Sequence, residues 1–277
     1  MSDDAGRPAF VDLHTHSTAS DGTLPPERVV EAAKRCNLAA IALTDHDTIA
    51  GVAAARAAGE RLGIRVVAGC ELSAFQDDDE IHLLALHLTR IEALEKRLAE
   101  LRTLRYERAQ RICEKLNLLG VEITFDEVLG QAQGGAVGRP HVARALIARG
   151  AVHDFKDAFV RYLGSAGAAF VPKARLSVEA AIEIAHEAGG LAIWAHPAEG
   201  GRRERLEPLV KSGLDGVEVR HPSHTADDVR RLEALAEFFG LVVSGGSDWH
   251  GSSEGPRRIG NMNVPISWLE AQDQRLA

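Results

Sequence analysis

Apolar and polar positions alternate in short blocks along the first 90 residues. Apolar runs at 9–13, 38–43, 64–68 and 81–86 read as strands. Between the first three lie two helical patterns, 25–36, opened by Pro25-Pro26-Glu27, and the Ala-rich 49–62, closed by Gly63. The fourth strand follows the third through the acidic loop 76–80, with no helix between. The pattern then changes. Residues 91–119 form one long, charged, amphipathic stretch, followed by shorter helices at 125–129, 140–148 and 155–163 and a Gly-rich loop at 134–138. Phe170-Val171 carries the next strand signal. Alternation resumes at Ser177, an N-cap for a helix over 177–188, and continues as strand 191–195, helix 206–211, strand 216–219, helix 226–239 and strand 241–244. Seven strands in two blocks predict an α/β chain, either a parallel barrel or a doubly wound sheet. It is built from residues 1–90 and 171–277 and interrupted by a helical insertion at 91–170.

Polar clusters fall beside these strands. His14 and His16 follow strand one, with Asp21 beyond; His46 follows strand two and Glu71 strand three; His82 lies in strand four; His196 follows strand five; Asp248 and His250 follow strand seven. In a parallel barrel, residues after the strands converge on one mouth. Positions i and i+2 of an extended segment face the same side, so His14 and His16, and likewise Asp248 and His250, can address one ion. Imidazole and carboxylate donors without cysteine suit Zn²⁺, Mn²⁺ or Fe²⁺ in a catalytic site. Six histidines and three carboxylates are too many ligands for one ion and suit two or three. Such a centre is electropositive, attracts a phosphate dianion and generates hydroxide near neutral pH.

Composition narrows the classes. The chain has 277 residues, 45% hydrophobic and 26% charged, with a formal net charge of −8. That is globular composition, and it argues against a long nucleic-acid track. Cys36, Cys70 and Cys113 are scattered, which favours a reducing cytoplasm over a disulfide framework. No signal peptide or apolar run long enough to span a membrane is read.

The segments Phe10-Val11-Asp12-Leu13-His14-Thr15-His16-Ser17, Ser20-Asp21-Gly22, Thr44-Asp45-His46-Asp47, Gly69-Cys70-Glu71, Ala195-His196-Pro197 and Gly246-Ser247-Asp248-Trp249-His250 together resemble the PHP (polymerase and histidinol phosphatase) family. The resemblance implies a distorted, TIM-like seven-stranded (β/α) barrel with a trinuclear metal centre and an inserted helical lid. His14, His16, Glu71 and Asp248 would hold one ion; Glu71, His82 and His196 a second, Glu71 bridging; Asp21, His46 and His250 a third. It implies Mn²⁺ as cofactor, a bridging hydroxide as nucleophile, and Asp248 with His196 or His250 in the chemistry.

Gly138-Arg139-Pro140-His141, Tyr162-Leu163 and Phe170-Val171-Pro172-Lys173 resemble the stand-alone PHP phosphoesterases, which include 3′,5′-nucleoside bisphosphate phosphatases and enzymes trimming 5′ ends of short RNA. That branch implies a small phosphorylated nucleotide as substrate, bound by Arg102, Arg105, Arg139, His141, Lys173 and His224. Residues 90–115 hold eight basic and five acidic side chains, a local charge of +3 in an acidic chain, and Arg102, Arg105, Arg108 and Arg111 recur every three residues along one side of a helix. A solvated helix face would look the same. Two other readings stay open, a phosphomonoesterase of histidinol phosphate or a similar small ester, and a non-catalytic metal-binding module.

Overall fold

The computed structural model describes residues 9–77, 79–132, 137–172 and 176–277, without the side chains of residues 93 and 100–102. The first block comprises β1 (Phe10–Thr15), α1 (Pro26–Arg35), β2 (Ala40–Leu43), α2 (Val52–Leu62), β3 (Arg65–Gln76) and β4 (Asp79–Leu86). Then come the helices α3 (Ile91–Leu118), α4 (Phe125–Ala132), α5 (Arg139–Ala148) and α6 (Phe155–Ala158), the last running into a π-helical turn, Phe159–Leu163. The second block is α7 (Val178–Glu187), β5 (Leu191–Trp194), α8 (Arg203–Lys211), β6 (Gly216–Arg220), α9 (Ala226–Phe239), β7 (Val242–Gly245), β8 (Val264–Pro265) and α10 (Ile266–Leu276).

The strands form one sheet in the order β7-β6-β5-β4-β3-β2-β1-β8. β1–β2–β3 and β5–β6–β7 are parallel runs. The expectation of a wholly parallel barrel fails at β4, which is antiparallel to both β3 and β5. The reason is connection length: the tip between β3 and β4 is too short for the crossover that parallel strands require. Reversal has a useful result. His82 lies near the start of β4, and in a reversed strand that end meets the mouth where the other strands finish. The short β8, antiparallel to β1, and α10 are additions beyond the seven strands read from sequence. Phe170 and Val171 are not in a strand; their carbonyls accept from Lys115 Nζ (2.6 Å) and Arg108 Nε (2.8 Å).

The barrel closes between β1 and the segment after β7. Thr15 bridges Trp249, and the His16 N–H donates to the Trp249 carbonyl at 2.8 Å. Buried Asp12 accepts from the Ser247 N–H (2.9 Å), the Ser247 hydroxyl (2.6 Å) and the Gly260 N–H (2.8 Å). Residues between Ala109 and Val171 share an apolar cluster of their own. The first turns of α3 pack elsewhere: Leu94 and Leu98 join the cluster that α7 forms against β3–β6.

Gly246 sits against β1 so closely that an added Cβ would lie 2.4 Å from His14 Cβ and 2.5 Å from its backbone nitrogen. Gly246→Ala is therefore expected to lower stability by about 1–3 kcal/mol, the usual cost of overpacking, measured as the urea midpoint in chelator.

Candidate metal centre

Five imidazoles from four neighbouring strand ends surround one buried carboxylate, that of Glu71. Its Oε1 lies 2.7 Å from His82 Nδ1 and 3.1 Å from His196 Nε2. Its Oε2 lies 3.2 Å from His14 Nε2, 3.1 Å from His16 Nε2 and 3.3 Å from His46 Nδ1. Bonds of about 2.1 Å to one ion put neighbouring donors about 3.0–3.4 Å apart, the spacing of every contact but that of His82. His16 Nδ1 is buried without a hydrogen-bond partner, and His16 Nε2 and His46 Nδ1 face the Glu71 carboxylate without hydrogen-bond geometry. A buried imidazole nitrogen left unpaired is costly, and a cation removes that cost.

Around Glu71 the donors fall into groups. His14, His16, Glu71 and Asp248 converge; so do His16, Asp21, His46 and His250; so do His46, Glu71 and His82. Asp248 Oδ1 stands 3.2 Å from His16 Nε2 and 3.5 Å from His14 Nε2. Asp21 stands 3.2 Å from His250 Nε2 and 3.9 Å from His46 Nε2. All nine residues read from sequence thus meet at one mouth, and the set can bind metal ions. His196 and Asp248 have positive φ, 33° and 49°, a conformation side chains avoid unless the surroundings impose it.

A further layer orients the donors. Glu218, buried in β6, holds His14 Nδ1 at 3.1 Å through Oε1 and accepts the His196 N–H at 2.7 Å through Oε2. His221 Nε2 lies 3.4 Å from Asp248 Oδ2, and Arg257 pairs with the same oxygen. Sequence reasoning passed over Glu218 and Arg257. A glutamate inside Gly216-Val217-Glu218-Val219 was the available signal, since a charge in an apolar strand needs a partner.

Electrostatics follow from burial and crowding. Burial alone would raise Glu71 and Asp21, yet the surrounding histidines hold both carboxyls well below their usual range. Burial likewise opposes the His14 charge, but Glu218 and Glu71 outweigh it and push the ring up to about 10. Glu218, against burial, is held down at about 2 by His14 and His221.

Two adjoining clefts flank the centre and share Glu80, His82 and Arg139. One, of about 160 Å³, is walled by Arg105, Arg108 and Arg139 from the inserted helices. The other, of about 420 Å³, runs past His196, Pro197 and Arg205. Arg105 pairs with Asp47 and donates to Ser73 Oγ at 3.1 Å. Arg139 approaches Glu80 at 3.8 Å and lies over the Phe159 ring. Burial brings Arg108 down to about 10, so it stays cationic at neutral pH.

The remaining expected substrate contacts stand elsewhere. His141 is buried, its Nδ1 accepting from the Gly138 N–H at 3.0 Å. His224 accepts from the Ala198 N–H at 3.1 Å and bonds the Val219 carbonyl at 2.8 Å. Both ring nitrogens of His224 are thus committed to backbone, and Nδ1 of His141 is. The Arg102 side chain and Lys173 lie outside the described residues.

The PHP domain family matches residues 12–170. The chain belongs to that family. Among PHP relatives, a 3′,5′-nucleoside bisphosphate phosphatase of Chromobacterium violaceum is 35% identical over 91% of both chains. A 5′-3′ exoribonuclease of Haemophilus influenzae is 37% identical over 94% of this chain and 92% of its own. The solved structure of an inferred metal-dependent phosphoesterase from Bifidobacterium adolescentis superposes with a TM-score of 0.88 at 32% identity, covering 97% of this chain and 98% of that one. The PHP barrel and the expected phosphoester-hydrolysing enzyme class agree with these likenesses. No helix among the described residues is long and apolar enough to cross a membrane.

Burial, the largest influence on His221, brings it from the ordinary 6.5 down to about 3, with Glu218 opposing. A histidine depressed on folding stabilises fully above its unfolded pKa, and that stability is lost as pH falls from 6.5 towards 3. His221→Gln should therefore flatten the loss of stability of the metal-free protein between pH 6.5 and 4, read from urea midpoints.

Proposed function

We propose that this PHP-family chain hydrolyses phosphate esters of small nucleotides, converting a 3′,5′-bisphosphonucleotide to the nucleoside 5′-monophosphate and inorganic phosphate, with Mn²⁺ as cofactor. The observation that carries this reading is the ring of five imidazoles about Glu71 opening onto a cleft walled by Arg105, Arg108 and Arg139. We assign three ions to these donors: His14, His16, Glu71 and Asp248 would hold one, Glu71, His82 and His196 a second, and Asp21, His46 and His250 a third, an assignment supported by the convergence of donors about Glu71 and about Asp21. Bound there, the ions supply positive charge to phosphoryl oxygens and acidify water.

The chain's own groups do the rest. Arg105, Arg108 and Arg139 bind the phosphate that is not cleaved, Arg105 exchanging its Asp47 partner for it. Arg102 and Lys173 remain candidates for the same task. The His250 Nδ1 proton is held by the Asp248 carbonyl at 2.9 Å, which leaves Nε2 for the Asp21 site. His196 is committed to Glu71. We therefore assign both histidines and Asp248 to holding cations, and the leaving oxygen takes its proton from water in the open cleft. Residues 91–170 act as a substrate-side lid on a barrel of 1–90 and 171–277.

A second substrate is supported by volume. The arginine-walled cleft alone is smaller than the roughly 300 Å³ at which ligand pockets begin, whereas the adjoining cleft past His196 gives room for a further nucleotide. Trimming of the 5′ end of a short oligonucleotide belongs to the same proposal, and the names of the relatives support both substrates. Cytoplasmic residence is supported by three free cysteines.

With Mn²⁺, 3′-phosphoadenosine 5′-phosphate should release inorganic phosphate, and chelation should abolish the release; no phosphate from the loaded enzyme sinks the assignment. Arg105→Ala should raise KM at least about tenfold for the bisphosphate and far less for a monophosphate, and equal rises would remove Arg105 from phosphate binding. Metal analysis should give three Mn²⁺ per chain, falling to one or none in Glu71→Gln.

A further inference from the structure

Helix α5 reaches the centre from the lid side without supplying a donor to it. Arg144 Nη2 donates to the backbone carbonyl of Asp21 at 2.6 Å. One turn earlier on the same helix, buried His141 accepts from the Gly138 N–H at 3.0 Å through Nδ1, which fixes the start of α5. The lid thus grips the turn that carries Asp21 at the Asp21 carbonyl.

That turn has a second anchor on the barrel side. Asp45 accepts from the Ser17 N–H, the Ser17 hydroxyl and the Ser20 hydroxyl, each at 2.7 Å. The turn also closes on itself, Ser20 and Gly22 both donating to the Ser17 carbonyl. Asp45 therefore fixes the entry of the turn, residues 17–20. On the far side, the Thr23 N–H and hydroxyl donate to the His250 carbonyl, each at 2.9 Å, and Arg144 holds the Asp21 carbonyl itself. The Asp21 carboxylate lies 3.2 Å from His250 but 3.9 Å from His16 and His46. A small shift of its backbone would open this group.

We infer that Arg144 is a positioning residue that links docking of the lid to cation binding at the Asp21–His46–His250 site. The inference rests on the three-ion reading above. Linkage is reciprocal: if a docked α5 strengthens cation binding by some factor, the cation strengthens docking by the same factor. Arg144 meets a carbonyl and not the carboxylate, so its action on the ion is through geometry. Its positive charge would by itself repel the ion, which gives the proposal a sign opposite to that of simple electrostatics.

The test is a Mn²⁺ titration counting sites by calorimetry, paired with hydrogen exchange of residues 139–148 with and without Mn²⁺. Wild type should bind three ions and gain protection in α5. Arg144→Ala should keep two sites, weaken the third about tenfold, and lose the Mn²⁺-dependent protection; the two retained sites report that the barrel is folded. Arg144→Lys, which keeps the charge and one donor, should recover part of both effects. Asp21→Asn, at the other end of the linkage, should abolish the third site and the α5 protection together. Unchanged or tighter third-site binding in Arg144→Ala overturns the inference alone, as does Mn²⁺-dependent protection of α5 that survives in Asp21→Asn. A wild-type chain that binds fewer than three ions overturns the three-ion reading and the inference with it.

Discussion

The architecture depends on one costly act, the burial of Glu71 where no water reaches it. An isolated carboxylate there would bind a proton. It stays charged because β1, the ends of β2 and β5, and β4 each bring an imidazole to it. Those donors come from four strands around β3, so the carboxylate draws on the arc of the sheet from β5 to β1. Closing the arc falls to Asp12 and Gly246, which let the segment after β7 lie against β1 and carry Asp248 and His250 into place.

The residues behind the donors matter as much as the donors. Glu218 ties the side chain of His14 to the backbone of His196. His224 ties the chain after His196 to the end of β6. Such contacts select ring tautomers and aim ring nitrogens, which is how outer partners tune a metal site. They also hold backbone of positive φ: Glu218 accepts the His196 N–H, and the Asp248 carbonyl is held by the His250 ring.

Much of this was legible in the chain. His14-Thr15-His16 and Asp248-Trp249-His250 declare themselves because extended backbone puts alternate residues on one side. His82 could be read as a ligand candidate without knowing that β4 is reversed, since reversal and its early position in the strand cancel. The two-residue β8 was illegible, being too short for any alternation. Glu218 hid because a strand pattern shows that a charge is misplaced but not which ring across the barrel answers it. The backbone role of the His224 ring hid for a related reason. A histidine beside a motif is equally suited to a substrate and to a backbone carbonyl, and only the fold decides between them.

The reversal of β4 has one more effect, on the length of α3. Because β4 finishes at the end of the barrel opposite the mouth, the inserted helix begins there, where Thr89 and Arg90 bond the Ala188 carbonyl. It must climb the full wall before it can do anything at the top, and Arg105 lies about 21 Å along it at 1.5 Å per residue. The helix is therefore a ruler with a phase. Its lower turns are pinned by Leu94 and Leu98, so one residue gained or lost between Leu98 and Arg105 would swing Arg105 and Arg108 by about 100° and turn the cationic wall away from the cleft. A change of seven residues would nearly restore the angle and misplace the height by about 10 Å.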